Sequence, residues 1–125
     1  MKKYSREQAL EKFKEVGKRA PFFQGVVHIG VSVDIGELAT IGEGVELRQG
    51  VQVGSSCKLR DNVKVGEYST LKSKVLIGKG TSIGKGCRIG RGVKIGEGCY
   101  IGQSVSIPSE SEIKDGVGVP PYTKL

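Results

Sequence analysis

Tryptophan is absent from this 125-residue chain, and histidine and methionine occur once each. Phenylalanine and tyrosine together make up only 6% of the residues. A two-layer core is normally filled by more bulky side chains than that, so the interior has to be built another way. No apolar run approaches the length needed to cross a bilayer, and residues 1–20 hold no signal-peptide core, because Glu11, Lys12, Lys14 and Glu15 interrupt the apolar residues. The expectation is a single cytoplasmic domain with no membrane partner. The three cysteines, Cys57, Cys87 and Cys99, fit no metal-ligand spacing, and no metal site is expected.

Glycine, in contrast, is abundant at 20, and the formal net charge is +7. The charge is unevenly placed. Residues 55–94 hold ten basic and two acidic groups, whereas residues 27–54 hold one basic and four acidic ones. A basic excess permits an anionic partner without identifying it.

The glycines are periodic. Stepping by six from Ile29 to Val119 gives sixteen positions that are all Ile, Leu or Val, although those three types make up only about a quarter of the chain. The residue two before each is small or β-branched, from Val27 through Cys57, Ser69 and Thr81 to Val117. Gly follows the aliphatic in ten of the first fifteen hexads. Two positions further on, Gly or Asn recurs, and these two columns hold 17 of the 20 glycines. The unit predicted is a short strand with two inward residues, followed by a turn whose last residue needs positive φ. Three units per coil give a triangular prism of 18 residues per turn, with about five coils between residues 27 and 118.

The hexad resembles that of the hexapeptide-repeat family, and the resemblance covers about three quarters of the chain. It implies an all-β, left-handed parallel β-helix; the handedness comes from the resemblance and not from the periodicity. The expected organisation is an N-terminal helix and cap over 1–26, the β-helix over 27–119 and a tail over 120–125. Residues 5–17 read as a helix, with Ser5 as N-cap, Gln8 completing a capping box and Gly17 as a stop. Its apolar stripe of Ala9, Leu10, Phe13 and Val16 would close the end of the prism.

The ending Val119-Pro120-Pro121-Tyr122 resembles the closing segment of hexapeptide acyltransferases. There it usually runs on into a Gly-x-Pro-Ala loop near the acyl-CoA. Here the chain reaches Leu125 without that loop, so the expectation is acyltransferase architecture short of its final element. Acyl transfer in that family needs a histidine base, and His28 is the one histidine. Its outward column, one residue per coil, is His28, Glu46, Lys64, Ser82 and Tyr100, which makes Glu46 the candidate to orient it. The alternative is a solvated ladder of alternating charge. His28-Ile29-Gly30-Val31 also resembles the His-Ile-Ala-His string of lipid-A-type members, but with valine at the decisive place. One histidine cannot supply the three zinc ligands of a γ-class carbonic anhydrase, and the mixed outward columns exclude a threonine ice-binding face.

Lys72, Lys74, Lys79, Lys85, Arg88 and Arg91 occupy different places in the hexad. They are expected to ring the prism, as a solvated surface or as a site for an anionic small molecule such as the phosphates of CoA. Few aromatic stacking partners accompany them, which argues against nucleic acid. Val31, Leu38, Tyr68, Leu76 and Tyr100 are apolar where polarity is expected, and the resemblance implies a homotrimer with these residues at its contacts. Two functions follow. The first is a trimeric, non-catalytic scaffold or binding module needing no cofactor, favoured by the uninterrupted repeat. The second is an O- or N-acyltransferase with acyl-CoA bound between subunits.

Overall fold

A computed structural model describes all 125 residues. Each of the sixteen hexads forms one strand of two or three residues, so the chain winds as a parallel β-solenoid of about five turns. Two strands and a helix precede the first hexad: β1 (Lys2–Tyr4), α1 (Arg6–Phe13) and β2 (Phe22–Phe23). Strands β3 (Val27–Ile29) to β18 (Gly118–Val119) follow, one per hexad. The first face contains β3 and every third strand after it, with β1 on its outer edge, seven strands in all. The second face has five strands, beginning at β4 (Asp34–Ile35), and the third has six, from Phe22–Phe23 to Glu112–Ile113. The register is the predicted one: His28 lies beside Glu46, Glu46 beside Lys64, Lys64 beside Ser82, and Ser82 beside Tyr100.

Alternation within each strand explains the core. Most inward residues join one apolar cluster of 28 buried side chains, and the only buried polar ones are Ser69 and Thr81; the exceptions are Ile35 near one end and Ser111, Ile113 and Val117 near the other. All sixteen turn positions from Ser32 to Tyr122 have φ between +55° and +75°. Seven are Gly, but nine are not, including Leu38, Tyr68, Lys74 and Glu110. Glycine is therefore favoured in these turns without being required. The N–H of the turn residue donates to the carbonyl of the preceding coil, as from Tyr68 to Gln49 (2.9 Å) and Lys74 to Ser55 (3.0 Å), and this bond helps offset the left-handed backbone. The other glycine column has a different, steric cause. A Cβ on Gly66 would lie 2.5 Å from the Lys85 nitrogen and 2.6 Å from the Gly84 carbonyl carbon, both backbone atoms of the next coil.

The N-terminal segment covers one end of the prism. The capping box forms, with Ser5 Oγ accepting from the Gln8 N–H (3.2 Å) and Gln8 Oε1 accepting from the Ser5 N–H (2.9 Å). The helix ends at Phe13, not at Gly17, and Lys14 is already extended. The expected apolar stripe is correspondingly shorter. Ala9 is buried and Phe13 stacks on Phe23 with ring centroids 5.9 Å apart, but Val16 is fully exposed and anchors nothing. Beyond Lys14 the chain is non-helical and leads to β2. Unanticipated from sequence, β1 pairs antiparallel with β3, and Lys12 stands 5.7 Å over the Tyr4 ring. The ladder also runs past Val119: Ser106 N–H donates to Thr123 C=O, and Leu125 N–H to Ser106 C=O, both at 3.0 Å. No helix is long and apolar enough to cross a membrane.

Candidate functional site

His28 is half-buried on the first face, with Lys3 on one side and Glu46 on the other. The Glu46 carboxylate is engaged elsewhere: Lys64 Nζ lies 3.5 Å from it and Arg48 Nη2 3.9 Å. His28 makes no hydrogen bond or ion pair of its own, so register brings His28 and Glu46 together without making them a dyad. The Glu46 carboxylate lies against two cations, and those contacts take the place of one to the imidazole.

The six basic residues of the central coils are dispersed, as their hexad places imply. Lys72, Lys74 and Arg91 lie in turns between the second and third faces, Lys79 between the third and first, Lys85 between the first and second, and Arg88 on the second face. Lys79 lines one groove and Lys85 a different one. The five unusual apolar residues also fall in separate places. Val31, Tyr68 and Tyr100 are exposed on or beside the first face. Leu38 is half-buried in an apolar groove of about 570 Å³ formed with Leu10 and Phe22, and Leu76 lines a mixed-charge groove of about 490 Å³ with Arg60, Asp61 and Glu97.

The cysteines are buried and free, and no group of His, Cys, Asp and Glu is placed to hold a metal. Their thiols donate to carbonyls of the next coil: Cys57 to Lys72 (2.9 Å), Cys87 to Gly102 (3.0 Å) and Cys99 to Lys114 (3.0 Å). Burial pushes the Cys57 and Cys87 thiols above their ordinary range, which suits packing and not nucleophilic chemistry.

One constellation escapes a residue-by-residue scan. Along the first face and its edge, Arg48, Lys64, Lys85 and Tyr100 line a single groove of about 430 Å³, together with Glu67 and Gln103. Lys64 and Tyr100 share one column, Glu67, Lys85 and Gln103 another, and Arg48 stands in a third, so no single column shows them as a set. Writing the chain in rows of 18 residues and scanning neighbouring columns would reveal it.

Residues 74–109 match the family described as bacterial transferase hexapeptide (six repeats), in accord with the repeat read from the sequence. No curated protein matches the chain. Among solved structures, a GDP-perosamine N-acetyltransferase from Caulobacter crescentus, in complex with CoA and GDP-perosamine, is similar at 25% identity and a TM-score of 0.69. The alignment covers 75% of this chain and 47% of that one. The acetyltransferase domain of PglB from Neisseria gonorrhoeae, in complex with acetyl coenzyme A, aligns at 22% identity and TM-score 0.55, covering 78% and 52%. A hexapeptide transferase family protein from Anaplasma phagocytophilum aligns at 21% and 0.52, covering 82% and 71%. The chain thus spans about half the length of the first two of these proteins.

Proposed function

We propose that this hexapeptide-repeat solenoid binds acyl-CoA and passes the acyl group to a hydroxyl or amino acceptor, working as a homotrimer with the site between subunits. The observation that carries this is its likeness, over three quarters of its length, to an N-acetyltransferase whose structure holds CoA. The chain's own features are consistent with it. Val31, Tyr68 and Tyr100 are exposed on one side, where a neighbouring solenoid could cover them. Side-by-side packing would bring the basic ring of Lys72, Lys74, Lys79, Lys85, Arg88 and Arg91 against that of a neighbour, giving the CoA phosphates a cationic cleft. The acceptor must lose a proton as it attacks the thioester carbonyl, and His28 is the one imidazole available to take it. A supply of acyl-CoA is met in the cytoplasm, the expected location.

A specific observation favours a second reading, a non-catalytic scaffold. The ladder runs through all sixteen hexads without an inserted loop, and Glu46 does not orient His28. Calorimetric titration with acetyl-CoA separates the two. Micromolar binding that weakens when the basic ring is neutralised supports the acyltransferase, whereas no binding at millimolar ligand leaves the scaffold. Loss of turnover in His28→Ala supports the base, and unchanged turnover removes His28 from the mechanism. Sedimentation equilibrium tests the assembly, because a monomer at micromolar concentration contradicts the trimer.

A further inference from the structure

We infer that the N-terminal cap is a docking surface for an anionic lipid bilayer, with Leu10 and Phe22 entering the lipid and Arg6 and Arg19 meeting its phosphates. This goes beyond acyl transfer and uses none of the residues assigned to it. The alternation of strand β2 turns Phe23 inward, 6% exposed, and Phe22 outward, 56% exposed. The outward column headed by Phe22 continues with Thr40, Lys58, Leu76, Lys94 and Glu112, so Phe22 is its one aromatic side chain. Leu10 of α1 lines the same groove of about 570 Å³ and is itself 42% exposed. Ala20, Pro21, Phe23 and Leu38 complete its apolar lining. A leucine and a phenylalanine that protrude into water from one apolar patch suit a fluid partner, which needs no walls around it.

Charge selects the partner. Residues 1–26 carry seven basic and three acidic groups. Arg6 and Arg19 line the groove, as does Glu7, which lies 3.9 Å from Arg6; Glu37 lies 3.5 Å from Arg19. These pairs are exposed and therefore weak, and each guanidinium keeps further N–H donors for a phosphate. Lys2, Lys3, Lys12 and Lys14 are exposed around them and enter no ion pair. A headgroup layer neutralises such flexible cations without a fixed partner for each, whereas a folded acidic protein has to match their positions. The groove lies beside the corner of the second and third faces, so side-by-side packing through Val31, Tyr68 and Tyr100, on or beside the first face, leaves it free. A cyclic trimer would turn three such caps towards one plane, although one chain holds the whole contact. No helix is able to span a bilayer, so the contact is with its surface alone.

The test is co-sedimentation of the full chain with vesicles, either phosphatidylcholine alone or an equal mixture with phosphatidylglycerol, using variants whose fold is checked by circular dichroism. The chain should bind the mixed vesicles, less so as salt rises, and leave pure phosphatidylcholine unbound. Leu10→Gln with Phe22→Gln should weaken binding about tenfold, and Arg6→Gln with Arg19→Gln about as much. Lys94→Gln with Lys114→Gln removes the same charge far from the cap and should leave binding within about twofold. Because the chain has no tryptophan, Phe22→Trp is a single reporter that needs no loss of apolar surface. Its emission should shift to the blue on mixed vesicles, whereas that of Tyr122→Trp, exposed at the other end, should not. No binding to mixed vesicles overturns the inference, as does equal weakening by the Lys94 and Lys114 changes, or a Phe22→Trp emission that stays unmoved. If the Leu10 and Phe22 changes instead dissolve an assembly of the chain that binds no vesicle, the groove is a contact between copies and the lipid surface is wrong. Normal acetyl-CoA binding without vesicle binding removes this inference alone, and vesicle binding without acetyl-CoA binding leaves it standing while acyl transfer falls.

Discussion

Thr81 and Ser69 stand where most coils carry an apolar small residue, and each hydroxyl bridges into the coil that follows. Thr81 Oγ1 donates to Gly96 C=O (2.7 Å) and accepts from Cys99 N–H (3.1 Å), while Ser69 Oγ does the same for Gly84 C=O (2.7 Å) and Cys87 N–H (3.0 Å). Val93, with Val75 in the coil before it, instead closes its turn through a long direct bond from its N–H to Gly90 C=O (3.4 Å). Thr81→Val therefore leaves the turn an alternative and should cost only about 1 kcal/mol. Thr81→Ala also leaves a void and should cost about 2 kcal/mol or more, both measured as shifts in urea midpoint. The buried thiols give a pH dependence with a definite sign. Burial raises the Cys57 and Cys87 pKa in the fold, so above the ordinary value of 9.0 the unfolded chain releases these protons first and binds fewer of them. Their contribution is complete below 9.0 and is lost as pH rises beyond it. Cys57→Val and Cys87→Val should flatten that alkaline decline in denaturation profiles.

In the hexad, two glycine columns look alike in sequence and answer to different physics. Lys74 carries φ of +62° in the turn column. Relieving a left-handed residue is worth about 1–2 kcal/mol, and the added freedom of glycine in the unfolded chain takes back about 0.5–1. Lys74→Gly should thus stabilise by about 0.5 kcal/mol and raise the melting temperature. Gly66→Ala should do the opposite, by about 3 kcal/mol, because its Cβ would press on backbone that has no rotamer to yield. Strand, turn and face could all be read from the chain because one period governs them, and the Ser5–Gln8 box was equally legible. Strand β1 was not, since Lys2–Tyr4 belongs to no repeat and owes its conformation to the edge of β3. The helix end was misread for a related reason: Val16 fits a helical stripe in sequence, but nothing in the fold lies where it points. The groove at Arg48, Lys64, Lys85 and Tyr100 stayed hidden because it joins residues of three neighbouring columns, whereas His28 and Glu46 were easy to find and prove to be neighbours without a shared bond.

Across the whole molecule, the N-terminal segment keeps one end of the prism from solvent and from other chains. Removing residues 1–21 uncovers Phe23, Val27 and the outer edge of β3, and light scattering should then report end-to-end association. Ser5→Ala, which breaks only the capping box, should cost about 1 kcal/mol and leave the chain dispersed. Every strand from β4 onwards bonds only to strands 18 residues away, before it or after it, as Thr70 does to Gln52 and Arg88. Cohesion therefore passes from rung to rung, and no residue ties distant coils together. Amide exchange should show this as a gradient, with protons around Leu47 to Ile83 lasting longest and those near Ile113 and Val119 lost first, as the solenoid frays coil by coil from the end where Ile113 is only half-buried and Val117 is exposed.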